Sequence, residues 1–255
     1  MSTTVQILDK RTPEEREREF LPGMGKPWLL PFYDLFAQGA GVRALHERAA
    51  ALADVAPGES VLDVGCGTAN LSLAVLRAQP AARVTGLDPD AAALRVAARK
   101  ATRRRMPLTL VQGFADRLPT GDGSLDHIVS ALALHHVPEE GRLLFAREAF
   151  RALRPGGTVT IVDFGSSDDA DEDADAGAHG HGAGHGHEHG REHGHEHGHG
   201  RLRGHGKSHG HGKPRAHGPS DLVRLLTDAG FTGAREVERV EHRFGPMAFV
   251  QATRA

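Results

Sequence analysis

With 255 residues and a formal charge of −2 at pH 7, the chain is long enough to bury one sizeable core, and its near-neutral balance argues against a nucleic-acid partner held by a general basic field. A single cysteine rules out an internal disulfide and fits a reducing, cytoplasmic setting. Residues 1–20 are polar and charged, unlike a signal peptide, and no apolar run approaches the roughly twenty residues of a membrane span.

Thr12-Pro13 opens a charged helix running through Glu14 to Glu19, and the Pro/Gly-rich run from Pro22 to Pro27 breaks it. The apolar stretch Trp28 to Phe36 then holds the only Trp and the only Tyr of an aromatic-poor chain. Beyond it, strands are expected near Ser60–Val64, Arg83–Asp88, Leu108–Gly113, His127–Ala131 and Thr158–Phe164, with helices between them. That alternation predicts a parallel sheet covered on both faces. Arg103-Arg104-Arg105 closes the helix that starts near Asp90, where basic residues complement the helix dipole. After residue 220, a helix over Leu222 to Ala229 ends at Gly230, and strands Ala234–Phe244 and Met247–Thr253 turn at Gly245-Pro246.

The segment Val61 to Asn70 carries the chemistry. Its apolar strand breaks into glycines at 65 and 67 and runs into a helix beginning near Asn70 or Leu71. Glycines let the backbone approach a ligand, and the helix start offers unpaired N–H groups to it. A lone G-x-G is more often an ordinary strand-to-helix turn. About twenty residues further on, however, the strand Arg83 to Asp88 ends in an acid. In doubly wound sheets a carboxylate at that tip accepts hydrogen bonds from two ribose hydroxyls. Asp90 is the better placed residue to cap the next helix, which leaves Asp88 for the ligand.

Four ordered segments extend this pattern: Leu62-Asp63-Val64-Gly65-Cys66-Gly67-Thr68; Gly86-Leu87-Asp88; Gly113 to Pro119 with Ser124-Leu125-Asp126; and Arg154-Pro155-Gly156-Gly157, preceded by Ala133-Leu134-His135-His136-Val137. Through them the chain resembles the class I S-adenosylmethionine-dependent methyltransferases, in particular the small-molecule branch that includes the quinone methyltransferases. The resemblance implies a doubly wound, mostly parallel seven-stranded sheet with an antiparallel C-terminal hairpin. It implies that Asp63, Gly65, Cys66 and Gly67 line the amino-acid end of the cofactor, that Asp88 with Pro89 holds the ribose, and that Phe114, Ala115 and Asp116 hold adenine. Ser130 and Ala131 would face the methionine portion. Independently, a flat ring suits Phe114 and an exocyclic amine suits the Asp116 carboxylate. Asn70 stands where the family usually has a third glycine; Asn tolerates a positive φ better than most residues. Cys66 reads as a small loop filler more readily than as a nucleophile.

In the resembled family the region around Trp28 to Phe36 caps the cofactor, and Tyr33 is the candidate for a cation–π contact with the sulfonium; the same residues could instead pack a first helix onto the sheet or touch a membrane surface. Where an acceptor needs deprotonation, His135 and His136 are the best placed bases, although either could pack or cap the following helix. Methyl transfer itself requires no metal.

Residues 166–219 stand apart. An acidic run over Asp168–Asp173 passes into a Gly/His repeat holding thirteen of the eighteen histidines, a composition that cannot build a core and predicts a disordered loop. The alternation of imidazole and carboxylate across His185, His187, His189, His193, His195, His197 and His199 makes a multidentate site for Ni, Zn or Cu. Thirteen imidazoles could equally sense pH, or the expansion could be merely tolerated. The expected organisation is a helical N-terminal cap over 1–40, a cofactor-binding core over 41–165, the insertion over 166–219, and a closing helix and strands over 220–255. The expected function is cytoplasmic methyl transfer to a small-molecule, hydrophobic acceptor, with divalent metal ions as further partners and neither nucleic acid nor a transmembrane segment involved. The alternative is a metal-binding or metal-storage protein on an inactive methyltransferase scaffold. A nicotinamide enzyme would need a second nucleotide site, for which no motif is present, and arsenic methylation would need several cysteines.

Overall fold

A computed structural model describes residues 5–18, 41–165 and 219–255. In chain order these form β1 (Ile7–Asp9), α1 (Pro13–Glu17), α2 (Val42–Ala53), β2 (Ser60–Val64), α3 (Asn70–Ala78), β3 (Arg83–Asp88), α4 (Ala91–Arg104), β4 (Leu108–Gln112), β5 (Leu125–Ala131), a 3₁₀ turn at Leu134–His136, α5 (Glu139–Ala152), β6 (Leu153–Phe164), α6 (Pro219–Asp228), β7 (Thr232–Val240) and β8 (Met247–Thr253). They build an eight-stranded sheet in the order β1-β4-β3-β2-β5-β6-β8-β7. The pairs from β1 through β6 are parallel, whereas β8 runs antiparallel to both β6 and β7. The α/β architecture and its antiparallel end are as expected.

The sheet has one strand more than the seven expected. Ile7–Asp9 pairs with β4 at the edge, so the stretch read as a helical cap also contributes a strand. Three residues with one apolar pair are too short for a periodicity to register; pairing with a neighbour already in place makes the strand. The first helix ends at Glu17, two residues earlier than expected. It starts as the sequence implies, with Thr12 as N-cap and Glu15 closing a capping box.

The central strands are buried on both faces and accordingly read as continuous apolar runs: Val61, Leu62 and Val64 on β2, Ile128 and Val129 on β5, Val159, Ile161 and Val162 on β6. One layer, including Leu73, Val75, Leu94 and Leu110, packs beneath α2, α3 and α4. The other, including Phe145, Leu153 and Leu226, packs beneath α5 and α6. Each buried Leu or Phe contributes about 1.5–3 kcal/mol through removal of apolar surface from water. These two layers hold the C-terminal ends of β2, β3, β4 and β5 side by side, and ligands bind at those ends in open α/β sheets. Among the described residues, no helix is long and apolar enough to cross a membrane.

Tyr33, the seven candidate metal-binding histidines and the whole of 166–218 lie outside the described residues. Among those described, no cluster of three or more His, Cys, Asp or Glu side chains could hold a metal ion.

Candidate active site

After Val64 the chain turns through a run of left-handed residues, Gly65 at φ +71°, Gly67 at +51° and Ala69 at +64°. The N–H groups of Gly65 and Cys66 both donate to the Leu87 carbonyl, at 2.9 and 3.0 Å, fastening the turn to β3. Glycine is required at 65 for a second reason: a Cβ there would lie 2.3 Å from the Cβ of Ala133, so the loop after β5 rests directly on the turn. A Cβ at Gly67 would meet nothing within 4 Å, and that open space is where a ligand can approach the backbone. The side chain of Cys66 packs against β3, where a Cβ on Gly86 would come within 2.8 Å of its Sγ. Burial, reinforced by the nearby Asp88, pushes the thiol pKa well above its ordinary value, which keeps Cys66 in the protonated, less reactive form.

Of the two residues that follow Thr68, Ala69 is the left-handed one, whereas Asn70 is the first residue of α3. Asn70 serves in another way: its Oδ1 accepts from the Nζ of buried Lys100 at 2.6 Å, and Lys100 also donates to Thr68 Oγ1 at 3.1 Å. A lysine from α4 thereby braces the turn.

Asp88 binds the turn from the neighbouring strand. Its Oδ2 accepts the Gly67 N–H and its Oδ1 the Asp90 N–H, each at 2.8 Å. Asp90 caps α4 by accepting from Ala92 and Ala93, as expected. Burial raises the Asp88 pKa to about 6, against the opposing pull of its two backbone donors. Asp63 is still more enclosed; burial raises it to about 7, although Ser72 donates to its Oδ2 from both N–H (2.9 Å) and hydroxyl (2.5 Å).

Beyond β4, Phe114 and Asp116 stand together. The guanidinium of Arg18 lies 4.6 Å from the centre of the Phe114 ring and pairs with Asp116 Oδ2. Asp116 Oδ1 is buried and has no hydrogen-bond partner among the described residues. A buried carboxylate oxygen without a donor is costly; it fits a ligand that brings an N–H, as the exocyclic amine of adenine does.

On the opposite wall, Leu132 adopts φ +53° at the end of β5, a conformation unusual for a branched residue. It turns the chain so that His136 faces inward. The imidazole of His135 instead points to Asp163, with Nδ1 2.7 Å from Oδ1, while the His135 backbone N–H donates to Oδ2 at 3.2 Å. The two imidazole centres are 3.9 Å apart. Burial and the neighbouring His135 lower the His136 pKa, which keeps its ring neutral and able to accept a proton near pH 7.

Asp63, Gly67, Asp88, Phe114, Asp116 and His136 border one cavity of about 380 Å³. Of the residues named from sequence, Asp63, Gly65, Cys66, Gly67, Asp88, Pro89, Phe114, Ala115, Asp116, Ala131 and His136 line it. Ser130 does not; its hydroxyl is fully buried and donates to the Val64 carbonyl at 2.9 Å, because alternate residues of a strand face opposite ways. His135 is also absent from the wall, being held by Asp163. Sequence reading missed Arg18, His46 and Leu132, which all line the cavity. Arg18 and His46 come from distant segments with no motif of their own, and only the fold assembles them, whereas Leu132 sits between the named Ala131 and Ala133 and its inward turn follows from its positive φ.

Residues 61–157 match the model of a family described as "Methyltransferase domain". Over 111 residues the chain is 37% identical to a demethylmenaquinone methyltransferase of Listeria monocytogenes, an alignment covering 43% of this chain and 46% of that protein. The chain thus spans about half the length of the relatives it matches. In fold it is similar to an S-adenosylmethionine-dependent methyltransferase from Aquifex aeolicus, with a TM-score of 0.59 at 18% identity over 90% of this chain and 99% of that one. It is likewise similar to the magnesium protoporphyrin IX methyltransferase of Synechocystis, solved with S-adenosylmethionine bound, with a TM-score of 0.58 at 17% identity over 84% of this chain and 80% of that one. Residues 61–157 of the chain thus match a methyltransferase domain, and the fold around them is the one shared by these two S-adenosylmethionine-dependent methyltransferases.

Proposed function

We propose that this protein transfers a methyl group from S-adenosylmethionine to a small, quinone-like acceptor in the cytoplasm. The observation that carries this reading is the single cavity in which a glycine turn, the Asp88 carboxylate, the Phe114 and Asp116 pair and a neutral imidazole at His136 meet. The acceptor class is supported by the identity shared with the demethylmenaquinone methyltransferase.

When bound, S-adenosylmethionine supplies an activated methyl on a sulfonium centre, so the protein's work is alignment and exclusion of water. Gly65 and Gly67 admit the ligand's backbone-facing edge, Asp88 accepts from the ribose hydroxyls through the lone pairs its two loop contacts leave over, and Asp116 Oδ1 accepts from the adenine amine. Asp63, deep in the cavity, faces the amino-acid portion. At the acceptor end, a ring nitrogen of His136 takes the proton that an acceptor hydroxyl must lose before attack. Asp163 and His135 are positioning residues for it: Asp163 holds His135 through Nδ1, and the His135 ring, tilted against His136 with the ring centres 3.9 Å apart, lowers its affinity for a resting proton. Tyr33 remains the candidate for a ring beside the sulfonium.

The His-rich segment is proposed to bind Ni, Zn or Cu without entering the chemistry; the alternation of imidazole and carboxylate in the sequence supports this. A metal-storage protein on an inactive scaffold is disfavoured by the meeting of Asp88, Phe114, Asp116 and His136 at one cavity.

Calorimetric titration with S-adenosylmethionine and S-adenosylhomocysteine, beside Asp88→Ala, tests the reading. Micromolar binding that is lost in the variant, together with transfer of labelled methyl to a demethylated quinol, the reduced and hydroxyl-bearing form, is expected. Folded protein that takes up neither ligand would overturn it.

A further inference from the structure

The N-terminal arm is clasped to the adenine end of the cavity. β1 lies along β4 in the register Ile7 to Leu110 through Asp9 to Gln112, and the α1 capping box fixes Glu15, whose Oε2 accepts the Thr12 N–H at 2.8 Å while its own N–H donates to Thr12 Oγ1 at 3.2 Å. Arg117, the neighbour of Asp116, closes on the same Glu15 with two charge-assisted bonds of 2.7 and 2.6 Å and donates to the Lys10 carbonyl at 2.6 Å. One turn after this clasp, Arg18 reaches over Phe114 and pairs with Asp116 Oδ2.

We infer that Arg18 is a positioning residue for adenine recognition: it holds one oxygen of the Asp116 carboxylate so that the other is presented to the exocyclic amine, and the Glu15–Arg117 clasp delivers it there. This rests on the reading of the cavity as an S-adenosylmethionine site. An untethered carboxylate rotates freely about its last torsion, which is broad and nearly two-fold. A planar guanidinium bonded to Oδ2 removes that freedom and leaves Oδ1 as a fixed, acceptor-only probe. Such a probe distinguishes rings by their edge. An amine satisfies it, whereas the carbonyl of hypoxanthine sets acceptor against acceptor and leaves the buried oxygen unpaired. Sites built to hydrogen-bond a substrate group discriminate strongly against analogues lacking it.

The test compares S-adenosylhomocysteine with S-inosylhomocysteine on the full chain by calorimetry. The wild type is expected to prefer the adenosyl ligand by at least about tenfold. Arg18→Ala should lose most of that preference, chiefly through weaker adenosyl binding, and Arg18→Lys should recover part of it. Glu15→Ala should act in the same direction and less than additively with Arg18→Ala, since both remove one device. If Arg18→Ala binds both ligands more weakly but keeps the wild-type ratio, Arg18 merely supports the fold and the inference fails. An undiminished preference in Asp116→Ala would overturn it as well. Failure of the folded wild type to bind either ligand would instead bring down the cofactor reading itself.

Discussion

Asp88, at the end of β3, holds Gly67 in the turn that follows β2, its Oδ2 accepting the glycine N–H at 2.8 Å while Oδ1 accepts from Asp90. One carboxylate thus shapes the turn and faces the cavity, so cofactor binding and loop geometry are coupled through it. Asp88→Asn presents a donor to one of two backbone N–H groups and leaves it unsatisfied. A loss of about 1–3 kcal/mol follows, read as a tenfold to hundredfold rise in the Kd for S-adenosylhomocysteine, with Asp88→Ala at least as severe.

The pH dependence has a sign opposite to that of a surface carboxylate. Burial raises Asp63 to about 7 and Asp88 to about 6, from an ordinary 3.8. Between the ordinary value and the raised one, the folded state binds the proton and the unfolded chain does not, so these groups make stability fall as pH rises through that window and level off above about 7. Urea unfolding at pH 5 and pH 7.5 should show a smaller difference between the two pH values in Asp63→Asn than the wild type shows. Cofactor affinity runs the other way: the ribose hydroxyls need an ionised acceptor, so binding should strengthen as pH rises through about 6 and lose that dependence in Asp88→Asn.

Gly65 sits beneath Ala133 with no room for a methyl group, and at φ +71°. Gly65→Ala should lower stability by about 2–4 kcal/mol, the sum of overpacking and backbone strain. Adding Ala133→Gly relieves the clash but not the strain. Thermal melts of the pair should therefore show partial rescue; full additivity of the two losses would refute the contact.

His136 is the group for which chemistry and binding separate. His136→Gln should cut kcat by about 10²-fold or more with little change in KM for the cofactor. Asp163→Asn should have a smaller effect and shift the acidic limb of the kcat profile, because it changes how His135 is held beside His136. An unaltered profile in both variants would mean that the acceptor arrives already deprotonated.

Removal of metal by excess chelator, or deletion of residues 178–217, should leave methyl transfer within about twofold of the intact protein, since the transfer requires no metal and every cofactor-binding residue named from the sequence lies outside that segment. A larger loss would make the His-rich segment part of the machinery.

The sequence by itself determined whatever is local in cause. The periodicity of buried strands and the left-handed glycines at 65 and 67 mark β2, its turn and α3 without reference to anything distant, and the acid at Asp88 and cap at Asp90 follow from position along the chain. The Thr12 and Glu15 box is equally legible, since its partners are three residues apart. Only the tertiary structure decided which side chains share the cavity. Ala69 rather than Asn70 takes the positive φ, and Lys100 arrives from α4 to hold the Asn70 side chain. Ser130 and His135 turn away because a strand alternates its faces and Asp163 waits across the sheet. Strand β1 exists because β4 offers an edge to pair with, and Arg18 meets Asp116 over ninety-eight residues of separation. Such contacts depend on which elements lie side by side, and no local pattern of residues encodes that.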